Sequence, residues 1–253
     1  LSKIHQILPD PHASPDFNND RAEYIGKLIL DLKPDVLVNL GDCADMGSLS
    51  AYDKGKRSFQ GRTYNRDINA AIDFNDRLFA PIRAAKKRLP YRVILEGNHE
   101  QRITRAIELQ PELEGAIGFD DLDYPRYYDE VVRYRGSSPG IIEIDGIAYA
   151  HYFISGVMGR PISGEHPAYS LLSKGFVSAT AGHLHTLDYC VRTNAHGIRQ
   201  QCLIAGVGQD YDSPFAGNAN DLWWRGVIIK RNVENGQYDP EFISLKRLKE
   251  IYG

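Results

Sequence analysis

Nine residues in five separate stretches carry side chains that bind metal ions or move protons: Asp10 and His12, Asp42 and Asp45, Asn98 and His99, His151, and His183 with His185. Their donors are carboxylate and amide oxygens and imidazole nitrogens. With no thiolate among them the set suits Mn²⁺ foremost, or Fe²⁺ or Zn²⁺, and so many imidazoles argue against Mg²⁺ alone. Asp10 with His12, and His183 with His185, stand two apart, a spacing that in an extended chain points both side chains to one face. Gly41, Gly97 and Gly182 directly precede three of the groups. A residue without a side chain lets the backbone turn sharply there and come close to a bound ion.

Residues so far apart in sequence meet only if the elements before them end together. Ile4 to Leu8 and Val36 to Leu40 are short apolar runs ended by Pro9 and Gly41, which suits buried strands. Between them Tyr24, Ile25, Leu28, Ile29 and Leu32 recur at helical spacing and predict a helix over 20–32. A strand, a helix and a strand in that order make a unit of parallel sheet. Ile68, Ala71, Ile72, Leu78, Phe79, Ile82 and Ala85 predict one or two further helices, kinked or divided at Pro81, ahead of a strand from Arg92 to Leu95. From Ile141 the period becomes two, and Asp145-Gly146 predicts a tight hairpin turn. Strands follow at 177–181, 187–192, 200–205 and 226–230, then a turn at 234–236 and a strand over 242–245. Each chemical group follows a predicted strand, and in open α/β sheets ligands bind beyond the carboxyl ends of strands. Five remote segments are therefore expected to converge on one site.

No repeat or Pro/Ser-rich linker separates the α/β first half from the mostly β second half, so 1–253 is read as a single domain. Lys and Arg number 30 against 33 Asp and Glu, a net charge of -3, so attraction to a polyanion must come from local patches or bound metal. Cys43, Cys190 and Cys202 form no close-spaced framework and leave one thiol over, which fits a reducing, cytoplasmic setting. No apolar segment reaches the roughly 20 residues of a spanning helix, so no membrane partner is expected. Cys43 reads as a small buried residue, and His5 and His196 as surface or structural.

Asp10-Pro-His12, "GDCAD" at 41–45, "GNHE" at 97–100, His151 and "GHLH" at 182–185 resemble, in order, the signature of calcineurin-like metallophosphoesterases. The resemblance implies an α/β fold, a β-sandwich of mixed sheets flanked by helices, with a dinuclear centre at one sheet edge. It implies that Asp10, His12 and His185 hold one divalent ion, that Asn98, His151 and His183 hold another, and that Asp42 bridges the two. His99 would act on the substrate, as general acid or as donor to the transition state, and Asp45 would orient it. The third motif is also that of protein Ser/Thr phosphatases, but Met46 stands where those enzymes carry a phosphate-binding Arg. Asp45 stands where purple acid phosphatases place a metal-ligating Tyr. The Gly-His-x-His ending is similar to that of prokaryotic and phage members, many of which cleave phosphodiesters and some monoesters.

The 46–66 insert interleaves Lys54, Lys56, Arg57, Arg62 and Arg66 with Tyr52, Phe59 and Tyr64, a mixture that suits single-stranded DNA or RNA or a nucleotide; an ordinary solvated loop is the competing reading. Arg102 and Arg105, three apart on a predicted helix from about Glu100, either reach a substrate phosphate or pair with Glu108 or Glu112. The loop holding His166 and the segment 210–215 are candidate pocket walls. Trp223 and Trp224 read as core and rim packing.

Overall fold

Period-two alternation along the first strands sorts side chains between two separate cores. In the computed structural model, which describes residues 2–253, Leu8 of β1 (Lys3–Leu8) and Leu37 of β2 (Val36–Asn39) join a cluster beneath the helices. Ile7 and Val38, one position away, face a second cluster between two sheets. The covering helices are α1 (Asp20–Leu32), which buries Ile25, Leu28 and Ile29, and α2 (Tyr64–Ala84), which buries Ala71, Phe74, Leu78 and Ile82. After β3 (Tyr91–Leu95) come α3 (Gln101–Leu109) and the short β4 (Glu130–Val132). The four strands lie side by side and parallel.

The second sheet starts with β5 (Ile141–Ile144) and β6 (Ile147–Ala150), joined by the Asp145-Gly146 turn. Both turn residues take positive φ, 51° and 81°, as a two-residue hairpin with the right twist requires. A small hairpin of β7 (Ile154–Ser155) and β8 (Arg160–Pro161) precedes α4 (Pro167–Gly175), which returns the chain to β9 (Ser178–Ala181), parallel to β6. β10 (Leu187–Thr193) and β11 (Arg199–Ala205) extend this sheet in the order β10-β11-β9-β6-β5. β12 (Gly226–Glu234) and β13 (Gln237–Ser244) then rejoin the first sheet, ordered β13-β12-β1-β2-β3-β4, and α5 (Leu245–Tyr252) packs on α1. The result is the expected α/β sandwich of two mixed sheets with helices outside. Ile7, Val38, Leu203 and Ile228 fill the space between the sheets, each contributing roughly 1.5–3 kcal/mol on burial. Among the described residues no helix is long and apolar enough to cross a membrane.

Pro81 neither divides nor ends the expected helix early. It lies in the last turn of one continuous 21-residue helix, which runs on to Ala84 although Pro81 has no N–H to give to the ladder. Two helices lie outside what the sequence pattern predicts. α4 opens on Pro167 at its first turn, and α5 opens on Ser244, whose hydroxyl accepts from the Arg247 N–H at 3.1 Å. The strand expected over 242–245 is in fact the end of β13, which hands over to α5 at Leu245.

Candidate metal centre

The inner strands β1, β2 and β3 of one sheet, and β6 and β9 of the other, end at the same side of the sandwich, and all nine chemical residues leave from those ends. The site thus lies across strand termini and not along a lateral edge strand. Asp10 with His12, and His183 with His185, do not use strand alternation, because β1 has ended at Leu8 and β9 at Ala181. All four take left-handed φ, as does Asp42: 33°, 46°, 68°, 62° and 48°. Each such residue costs about 1–3 kcal/mol, strain that collects at functional sites where surrounding structure enforces it. Gly97 and Gly182 allow the loops to touch. A Cβ on Gly97 would lie 2.1 Å from Asp42 Oδ1, and one on Gly182 would lie 2.1 Å from Asp10 Oδ1.

Ligand atoms of Asp10, His12 and His185 lie within 4.8 Å of one another, as do those of Asp42, His151 and His183. These neighbouring sets could hold two divalent ions. His12, Asp42 and His99 meet the same distance. Asp42 Oδ1 accepts from the His99 backbone N–H at 2.8 Å, leaving Oδ2 to face the cluster, 3.3 Å from His151 Nε2 and 3.9 Å from His12 Nε2. A carbonyl only accepts, so His151 Nδ1 must donate to Leu40 O at 2.9 Å. Its Nε2 then faces two acceptors, Asp42 Oδ2 and Asn98 Oδ1, the latter at 2.9 Å. Three lone pairs aimed at one place need positive charge between them, supplied by a proton on the ring or by a metal ion. Asp10 Oδ1, buried and without a hydrogen-bond partner among the described residues, fits the same reading.

Burial opposes charge on His151, yet the Asp42 carboxylate wins and pushes its pKa up to about 9. His183 goes the other way, down to about 4, through burial and repulsion from His151. His99 donates from Nδ1 to the backbone carbonyl of Asp45 at 2.7 Å, with the Asp45 carboxylate at 3.2 Å. The Asp45 carboxylate also lies 3.3 Å from His12 Nδ1, and despite burial these imidazole contacts hold it far below the usual range. Cys43 points elsewhere, toward Asn75, and burial pushes its thiol up to about 12.

Arg102 donates to Asp45 O at 2.9 Å and to His99 Nε2 at 2.9 Å, and Arg105 donates to Asn98 O at 3.3 Å. Neither pairs with Glu108 or Glu112 among the described residues. Of the basic insert, Lys56 and Arg62 are tied to Asp53 at 3.3 and 2.8 Å, and Arg66 to Asp16 at 3.3 Å. Lys54 and Arg57 are exposed, but only Lys54 borders a cavity at the site. His166 is exposed at the start of α4, outside both cavities there.

Two cavities flank the centre and share Tyr52, Asn98 and Arg102. One, about 470 Å³, is bordered by Asp45, His99, Phe17, Tyr211 and Phe215. The other, about 510 Å³, is bordered by His183, Tyr152, Lys54, Arg105 and Leu109.

Sequence reasoning gives Glu100 no role. Fully buried, its carboxylate accepts from the backbone N–H groups of Gly97, Asp42 and Ala44 and from the Tyr124 hydroxyl, all at 2.9–3.0 Å. It stitches the loop of Asp42 to that of Asn98. Its three-residue reach back to the Gly97 N–H is like that of a capping-box Glu, but Gly97 lacks the hydroxyl side chain that marks such a box in sequence. Trp223 does more than pack at a rim: its ring stands edge-on to His185, centroids 4.4 Å apart.

Fold and site together define an α/β protein with a candidate two-metal centre. No protein-family model matches the chain, and no curated protein sequence does. Among solved structures, TT1561 of Thermus thermophilus is similar over 96% of this chain and 99% of its own, at 11% identity and a TM-score of 0.40. A second solved chain covers 96% of this one and 100% of its own at 10% identity and a TM-score of 0.39. Likeness at that level identifies neither a family nor a chemistry.

Proposed function

We propose that the protein is a metal-dependent phosphodiesterase of the calcineurin-like metallophosphoesterase type, acting on a nucleic acid or a nucleotide. The observation that carries the diester reading is the pair of cavities meeting at Asn98 and Arg102, one for each organic substituent of the phosphorus. A monoester needs only one. Asp10, His12 and His185 would hold one ion, Asn98, His151 and His183 the other, and Asp42 would serve both through its free oxygen. Mn²⁺ fits this nitrogen and oxygen set, as do Fe²⁺ and Zn²⁺. Two such ions, when bound, supply Lewis acidity toward a phosphoryl group and acidify water.

The chain's own residues do the rest. Asp45 fixes the proton on His99 Nδ1 and so aims Nε2 at the cavity it shares with Phe17. Burial disfavours the charged His99 ring, but Asp42 outweighs it and raises the pKa. Nε2, which accepts from Arg102 in this structure, would take up a proton once that guanidinium turns to the phosphate, and would pass it to the leaving oxygen as water bonds to phosphorus and the P–O bond breaks. The guanidinium of Arg102 stands beside it to hold a non-bridging phosphate oxygen. Metal ligation by His99 is disfavoured, since Nδ1 carries the proton given to the Asp45 carbonyl and Nε2 accepts from Arg102.

The test is the rate of hydrolysis of bis-(p-nitrophenyl) phosphate beside the p-nitrophenyl monoester with added Mn²⁺, with His99→Ala as blank. A diester preference supports the proposal. Faster monoester cleavage makes the protein a phosphatase, and no turnover with any metal makes it a binding scaffold.

A further inference from the structure

The two cavities differ in charge and in aromatic content, and the difference sets a direction for the substrate. Beside His99, Phe17 and Tyr211 stack with centroids 3.7 Å apart and planes within 5°. The pair is built into the fold. Tyr211 donates through its hydroxyl to the backbone carbonyl of His12, and the buried Arg21 guanidinium lies 5.5 Å from the Tyr211 ring centre. Arg21 in turn bonds the carbonyls of Pro11, Asn18 and Gly208. The platform is therefore fixed to the loop that carries Asp10 and His12, yet Phe17 keeps 37% of its surface exposed. Phe215, 70% exposed, borders the same cavity and stands 6.5 Å from Trp223.

Charge points the same way. On this side Lys56 and Arg62 are both paired with Asp53, while the carboxylates of Asp45, Asp67 and Asp16, the last paired with Arg66, also border the space. Among the described residues a second phosphate finds there no cation without a carboxylate partner apart from Arg102 on the shared boundary. A neutral ring with exocyclic amines finds flat apolar faces and carboxylate acceptors. Across the centre, Lys54 and Arg105 border the other cavity without a carboxylate partner among the described residues.

We propose, resting on the phosphodiesterase reading, that the Phe17–Tyr211 cavity is a nucleoside subsite on the leaving-group side, with the anionic remainder of the substrate lying toward Lys54 and Arg105. The volume of about 470 Å³ falls within the range of small-ligand sites. Because His99 borders this cavity, the oxygen that leaves belongs to the nucleoside stacked there.

Equilibrium dialysis of adenosine against metal-free protein tests the subsite without turnover. Saturable binding is expected, weakened about fivefold or more in Phe17→Ala, as loss of one base-stacking face implies, and unchanged in Phe176→Ala, which lies outside both cavities. Absent binding, equal binding by Phe17→Ala, or ribose competing as well as adenosine overturns the proposal. In the Mn²⁺-loaded enzyme, a dinucleoside monophosphate should be cleaved about tenfold faster than the diester whose leaving sugar lacks a base. Equal cleavage of both without adenosine binding leaves a diesterase and removes the subsite. Phe17-dependent adenosine binding with neither diester cleaved leaves the subsite and removes the diesterase.

Discussion

Replacing Gly97 by Ala adds a single methyl group where two ligand-bearing loops touch. An ideal Cβ at Gly97 would lie 2.1 Å from Asp42 Oδ1, 2.2 Å from Asp42 N and 2.8 Å from Glu100 Oε2. Ordinary contact begins near 3.4 Å, so the loops must part by about 1.3 Å at that point. Gly97 does not occupy the left-handed region, so the whole effect comes from contact and none from backbone strain. The neighbours that must move are backbone and buried carboxylates, not flexible tips. Overpacking of this kind costs about 1–3 kcal/mol, or roughly 2–12 °C in melting temperature for a chain of this size. The functional loss should be larger than the stability loss, because a misplacement of about 1 Å at a reacting centre can cost about 10²-fold in rate. Thermal melting, metal content by mass spectrometry after dialysis, and diester hydrolysis read the three effects. Gly118→Ala is the matched control, since its Cβ would meet nothing closer than 4.0 Å. Wild-type metal content and rate in Gly97→Ala would refute the claim that this contact sets the position of Asp42.

Asp42→Asn is expected to lower metal occupancy at both positions, measured as ions per chain; loss of a single ion would contradict the shared role. His99→Ala should keep both ions and lose about 10²–10⁴-fold in rate, and an undiminished rate would remove His99 from the chemistry. In chelator, the raised pKa of His151 contributes stability that is fully present below its ordinary value of 6.5 and lost as pH rises through about 9. Urea midpoints should therefore fall across that window, and metal affinity should rise across it because binding requires the Nε2 lone pair; a flat midpoint profile would show that Asp42 does not hold the ring protonated. Replacing Lys54, Lys56 and Arg57 by Ala should weaken salt-sensitive binding of single-stranded DNA, with Lys54 alone accounting for most of it, since Lys56 is already paired with Asp53. Equal losses from Lys54→Ala and Lys56→Ala would show that the pairing with Asp53 does not hold in solution.

Local pattern explains what the sequence conveyed well. The stripe of α1 and the hairpin at Asp145-Gly146 rest on spacing within a few residues, and both stand where expected. The pattern is weaker where an element is short or opens without a strong apolar period. β4 has three residues, and α4 starts after a glycine-rich loop. At the site, the residue types and their placement after strands were readable, but the mechanism of presentation was not. Two-residue spacing suggested strand alternation for Asp10 with His12, whereas both lie in left-handed turns that no spacing rule reveals.

By itself the sequence determined the order of the main strands and helices, with β4, α4 and α5 left out, and the oxygen and nitrogen donors at the strand ends, because periodicity and donor chemistry belong to single residues and near neighbours. Only the tertiary structure decided which donors face one another, with His151 brought to Asn98 and Asp42 across 53 and 109 positions of chain. It also decided which arginines and lysines are already neutralised, and that Glu100 binds two loops while Phe17 finds Tyr211. Such pairings follow from how sheets and loops pack, and chain spacing carries no record of packing until the chain has folded.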